Sequence, residues 1–186
     1  MSDQPKVLML DIDGVLNNMD VVREGRAKNR EASAADQPQH EFDYWGDMLS
    51  RDMIGLLNGV KRQTGCSVVV SSTWRLGLKL PMLELTLQSR GYEGIILDYT
   101  PNLCIPHKQR GDDIQSWIDT QTMFPRSLYS LTILDDNSDM KHLSHRLVKT
   151  DTYVGLTPEK AEELVAMIET PFNPYEGVDE APREAP

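Results

Sequence analysis

The chain has 186 residues, 39% of them apolar and 26% charged, the proportions of a soluble one-domain protein with room for a sheet covered on both faces. Its 19 basic and 29 acidic residues leave a net charge of −10, which excludes a protein that coats nucleic acid by charge alone but not one with a local basic pocket. Two cysteines, Cys66 and Cys104, exclude a disulfide scaffold and match no zinc spacing, and no run approaches the roughly 20 apolar residues of a bilayer span, so a cytoplasmic protein with free thiols and no membrane partner is expected.

The first apolar run, residues 7–10, is too short for a leader and stops abruptly at Asp11-Ile12-Asp13-Gly14, as a buried strand does on reaching a tight loop. Residues 19–47 are polar and mixed in charge, with Phe42, Tyr44 and Trp45 near the end. A structureless stretch of that length is uncommon inside a domain, so it is expected to be a small cap inserted over the site or a loose excursion. The aromatic trio suits either an anchor to the core or a platform for a base.

Ser50 is a plausible N-cap for a helix carrying Met53, Ile54, Leu56, Leu57 and Val60 on one face. Cys66-Ser67-Val68-Val69-Val70 is a second strand, ending in Ser71-Ser72-Thr73. Pro81 fits the first turn of a helix with Met82, Leu83, Leu85 and Leu87, stopped near Gly91. A third strand is expected over 94–97, a helix over 112–120, a fourth strand over 131–134 and a short fifth at Leu147-Val148. Thr157-Pro158 opens a last helix with Ala161, Leu164, Val165 and Ile168 inward. From Pro171 the chain holds four prolines and a net acidic charge and reads as a tail, leaving 1–170 as the folded unit. Continuous rather than alternating apolar runs, separated by helical patterns, predict an α/β fold: three layers around a parallel sheet.

In such sheets, ligands bind beyond the carboxyl ends of the strands. Asp11, Asp13, Ser71, Asp135 and Asp136 all fall at those ends. Four carboxylates gathered there repel one another, and a hard cation such as Mg²⁺ is the natural counter-charge. The four histidines, His40, His107, His142 and His145, show no ligand spacing that the acids do not explain better.

The segment Asp11-Ile12-Asp13-Gly14-Val15-Leu16-Asn17 resembles the first motif of the haloacid dehalogenase-like (HAD) phosphohydrolases. Val68-Val69-Val70-Ser71 resembles their second motif, Arg110 before Gly111-Asp112-Asp113-Ile114 the third, and Leu131-Thr132-Ile133-Leu134-Asp135-Asp136 the fourth. More narrowly, Ser71-Ser72-Thr73-Trp74-Arg75, Arg110-Gly111-Asp112-Asp113-Ile114-Gln115-Ser116-Trp117-Ile118 and Asp135-Asp136-Asn137-Ser138-Asp139-Met140 resemble the HAD domain of Swiss Army knife RNA-repair proteins. That domain is akin to the phosphatase half of polynucleotide kinase-phosphatases.

The resemblance implies a Rossmann-like HAD fold and a Mg²⁺-dependent phosphomonoester hydrolase. Asp11 would be the nucleophile and Asp13 the acid/base. Ser71 and Arg110 would face the transferring phosphoryl group, with Lys108 a rival for the role of Arg110. The metal would be held by Asp11, Asp135 and Asp136, and by Asp13 through its backbone carbonyl. Asp139 would be an outlying partner or a helix N-terminal acid. Ser72, Arg75 and Lys108 are candidates for substrate contact, although Arg75 equally suits a salt bridge. The implied substrate is a nucleotide or a nucleic-acid terminal phosphate. A sugar phosphate is the alternative substrate, and a non-catalytic phosphate-binding domain the alternative role.

Overall fold

The computed structural model describes residues 5–121 and 130–170; the expected tail lies outside the described residues. Five strands form, β1 (Lys6–Leu10), β2 (Ser67–Val70), β3 (Ile96–Tyr99), β4 (Ser130–Asp135) and β5 (Leu147–Lys149). They pair in the order β3-β2-β1-β4-β5, all in parallel. Because β1 continues to β2 on one side and meets β4 on the other, the connection order reverses at the β1/β4 border, the position where open α/β sheets hold their ligands.

Parallel strands in the middle of a sheet are covered twice, and β1 shows it. Leu8 and Leu10 enter one apolar cluster with Ile54, Leu57, Leu83 and Leu164, while Val7 and Met9 enter a second with Ile114, Trp117 and Ile118. The first cluster belongs to α3 (Arg51–Thr64), α4 (Leu80–Ser89) and α6 (Pro158–Glu169); the second is covered by α5 (Arg110–Thr120). The sheet is thus the middle of three layers, as the apolar runs predict.

The helix ends follow local chemistry. Ser50 and Thr157 accept hydrogen bonds from the amides of Met53 and Lys160, closing the first turns of α3 and α6. Gly65 ends α3 in the left-handed conformation that a glycine tolerates (φ 67°). Three expectations shift. Strand β3 starts two residues late, because Ile95 points to solvent and the register slips between Val68 and Val69. On α4 the buried face is Leu83, Thr86 and Leu87, and Leu85 is exposed. Helix α5 begins at Arg110, not Asp112, with Asp112 accepting from the Gln109 amide in a capping box.

Residues 19–46 are not structureless. They form α1 (Met19–Ala34) and α2 (Glu41–Gly46). Asn18 caps α1 through the Val21 amide. Its buried contacts are polar and close: Gly25 lies where a Cβ would strike the Asp47 carbonyl, and Asn29 donates to the Tyr44 carbonyl at 2.9 Å. The aromatic trio divides. Trp45 packs on the core, Phe42 stacks on His40, and Tyr44 stays exposed.

Candidate active site

The sheet register sets the level of the site residues. Leu10 pairs with Val70 and with Leu134, so the next residues on β1 and β2, and the last on β4, stand side by side. The ladder continues past the strands: the Asp11 amide donates to Leu134, Ser71 to Leu10, Thr100 to Val70 and Thr150 to Asp135. Asp11, Ser71 and Asp135 are therefore fixed by sheet hydrogen bonds rather than by loop contacts.

One carboxylate oxygen from each of Asp11, Asp135 and Asp136 lies within 4.8 Å of the others. Asp11 and Asp135 are buried, and Asp136 is half-buried. Asp135 accepts from the Asn137 amide at 2.8 Å and Asp136 from the Thr152 hydroxyl at 2.6 Å. Gly14 makes room for this group: its φ is 70°, and a Cβ there would collide with the Asp136 carboxylate.

Arg110 reaches in from the first turn of α5. Its guanidinium stands 3.1 Å from Asp11 and 3.4 Å from Asp135, and it donates to the Ser71 carbonyl at 2.6 Å. The start of α5 is pinned by Asp139, which accepts from the Arg110 amide, and by Gly111, whose missing Cβ lets the helix abut the Met140 carbonyl. Asp139 is thus an anchor for the arginine and not part of the acid cluster.

Burial raises the Asp11 carboxyl above its ordinary value, although Arg110, the Ile12 amide and the Ser72 hydroxyl oppose the shift. Burial and then the Asp11 charge push Asp135 up to about 7, against the pull of Arg110. Burial works against the charge on Arg110, but Asp11 and Asp135 outweigh it and hold the guanidinium above its usual value. One cation among three acids leaves a surplus of negative charge. Asp11 Oδ1, Asp135 Oδ2 and the buried Ser71 hydroxyl have no aligned hydrogen-bond partner among the described residues. A set of hard carboxylate oxygens with unused capacity fits a divalent cation such as Mg²⁺.

The other sequence candidates fall elsewhere. The Asp13 carboxylate is exposed and lies outside the group of three, accepting from Asn17 Nδ2 at 2.9 Å and Trp74 Nε1 at 3.0 Å.

Arg75 is a buried clamp, paired with Asp113 in the salt bridge that its sequence also suits. Its guanidinium donates to the carbonyls of Ser71, Ser72, Thr100 and Pro101 and to Asp113, which occupies all its N–H groups. Lys108 also binds Asp113, at 3.1 Å, which leaves Arg110 as the basic residue beside Asp11. Ser72 is buried behind Asp11 and caps the short 3₁₀ turn Thr73–Leu76.

Asn17 is a site residue that the motif contains but that its chemistry does not reveal. Buried, it accepts from the Gly14 amide and donates to Asp13, so it shapes the whole turn. Thr150 completes the turn by donating to the Gly14 carbonyl at 2.7 Å.

No curated protein and no solved structure matches the chain. The family model of the HAD domain in Swiss Army Knife RNA repair proteins matches residues 7–161, a span that runs from β1 into α6 and takes in every residue of the acid cluster, Ser71 and Arg110, and the chain belongs to that family.

Proposed function

We propose that this protein is a Mg²⁺-dependent phosphomonoester hydrolase working through an aspartyl-phosphate, with a nucleotide or a nucleic-acid terminal phosphate as substrate. The observation that carries the reading is the meeting of three carboxylates with Arg110 and an unpartnered, buried Ser71 hydroxyl at the switch point of a parallel sheet. An acidic pocket alone repels phosphate; this one holds a fixed arginine and a free donor as well. The substrate class rests on the family and not on the geometry.

Asp11, Asp135 and Asp136 would hold the metal, with the Asp13 carbonyl as a further oxygen. When bound, Mg²⁺ supplies positive charge that neutralises the phosphate and lets a carboxylate approach it. Asp11 attacks phosphorus, forming an acyl phosphate as the bond to the leaving oxygen breaks. Asp13 gives its proton to that oxygen, releasing the alcohol. Water then attacks the phosphorus, Asp13 takes back a proton, and phosphate departs with the Asp11 carboxylate restored. To act so, Asp13 must exchange its bond to Trp74 or Asn17 for one to the substrate. Ser71 donates to a phosphoryl oxygen, and Arg110, released from part of its pairing with Asp11, compensates charge on the transferring group.

The test is a screen of nucleotides, 3′- and 5′-phosphorylated oligonucleotides and sugar phosphates, with and without a chelator. Turnover of the nucleoside esters should require Mg²⁺ and fall on the order of 10⁴-fold in Asp11→Asn. Activity untouched by chelation would remove the metal role, and an active Asp11→Asn protein would remove the covalent one.

A further inference from the structure

Asp13 borders a cavity of about 260 Å³ that the chemistry above does not use. One wall is Trp74, whose indole N–H holds Asp13; the adjoining wall is Trp45 of α2, its ring centre 5.3 Å from that of Trp74. Val22 of α1 and Met48 add apolar surface, Thr73 contributes a hydroxyl, and Arg26 stands on the rim. Arg26 is exposed and makes no ion pair among the described residues. The polar helices α1 and α2 thus have a consequence beyond packing: they bring an aromatic wall and a free cation to the side of the site where Asp13 stands.

From this arrangement we propose that the cavity is the leaving-group subsite and that it takes a nucleoside, the base stacked against Trp45 and a second phosphate, where the substrate has one, reaching Arg26. The proposal rests on the phosphatase reading, because the group that Asp13 protonates must leave on the side Asp13 faces. Its chemistry favours a ring over a polyol. Most of the lining is apolar, with Trp45 and Val22 the less buried of its large apolar side chains, so a sugar phosphate entering alone would find few partners there beyond Asp13, Thr73 and Arg26. A base buries its faces against an indole and keeps its polar edge outward. The source of the nucleoside is either a free nucleotide or the last residue of a strand. Arg26 distinguishes them, since only a strand end places a second phosphate beyond the nucleoside.

The experiment is calorimetric titration of Asp11→Asn protein in Mg²⁺ with adenosine 5′-monophosphate, ribose 5-phosphate and a terminally phosphorylated dinucleotide. The adenosine ligand should bind on the order of tenfold more tightly than ribose phosphate. Adding Trp45→Leu should abolish that margin, and Trp45→Phe, which keeps a ring, should restore most of it. Equal affinity for the two ligands, or a margin that survives Trp45→Leu, overturns the proposal. Arg26→Gln weakening only the dinucleotide assigns the strand end; no loss on the dinucleotide overturns the Arg26 contact and leaves the free nucleotide, held by its base, as the occupant. Wild-type turnover of acetyl phosphate, which has no ring, separates the two levels. Hydrolysis of acetyl phosphate without any nucleoside margin overturns the subsite alone, whereas no hydrolysis of any ester overturns the phosphatase reading and the subsite with it.

Discussion

Asp135 carries the sharpest consequence at the scale of single residues. It is fully buried, next to Asp11, and pushed up to about 7 from 3.8. A carboxyl whose folded value exceeds its unfolded value opposes folding once the unfolded chain has ionised. The penalty is absent below about pH 4, grows as pH rises and is complete above about 7. In chelator, Asp135→Asn should therefore match the wild-type Tm near pH 4 and exceed it at pH 8 by several degrees, a gain of order 1–3 kcal/mol. In Mg²⁺ the order should reverse, because the wild type gains a ligand that the variant binds poorly. Wild-type Mg²⁺ affinity should climb with pH through the same window, since the ligands must be deprotonated. A Tm difference that does not vary with pH would remove the charge cluster as its cause. None of this burial is legible in the motif. Asp11, Ser71 and Asp135 are recognisable as strand ends, but a bond that holds the exposed Asp13 carboxylate comes from Trp74, sixty-one residues away.

Among the elements, β1 and β2 were the most legible, because each is a continuous apolar run closed by polar residues, whereas β3, which Asp98 interrupts, was placed two residues early. Helix α1 was not, because its buried residues are Gly25 and Asn29 and it has no apolar stripe for a pattern to reveal. It is held by a cap, by close approach at Gly25 and by the Asn29 bond, none of which leaves a periodic signal. Arg75 was opaque for a related reason: its acceptors at Thr100 and Pro101 follow β3 and its carboxylate partner lies on α5, so it ties three elements together at the mouth of the site. Arg75→Lys cannot fill that fork of acceptors. It should cost about 3 kcal/mol, a Tm fall on the order of 10 °C, with KM unchanged in protein that remains folded. A raised KM at an unchanged Tm would instead place Arg75 on the substrate.

For the whole molecule, the net charge of −10 bears on how the polynucleotide end proposed as a substrate would be held. Grip through one terminal phosphate and the nucleoside beside it leaves few phosphates neutralised. The slope of log KM for a phosphorylated oligonucleotide against log salt should then stay below about 2 in magnitude, where a protein tracking the backbone gives several times more. A slope of about 5 or above would contradict terminal recognition. The acidity divides accordingly: among the described residues most acids are exposed, while Asp11, Asp135 and Asp136 form a local centre whose surplus negative charge a bound divalent cation would offset. The central claim is that Asp11 carries the phosphoryl group in transit. The most direct measurement is mass spectrometry of Asp13→Asn protein quenched after mixing with an activated phosphate ester and Mg²⁺, since an enzyme without its acid/base should form the acyl phosphate and fail to hydrolyse it. One phosphoryl group on the peptide containing Asp11, absent in chelator and absent in the Asp11→Asn, Asp13→Asn double variant, is the predicted result. Ester cleavage in wild-type protein with no phosphoryl group ever found on that peptide would contradict it.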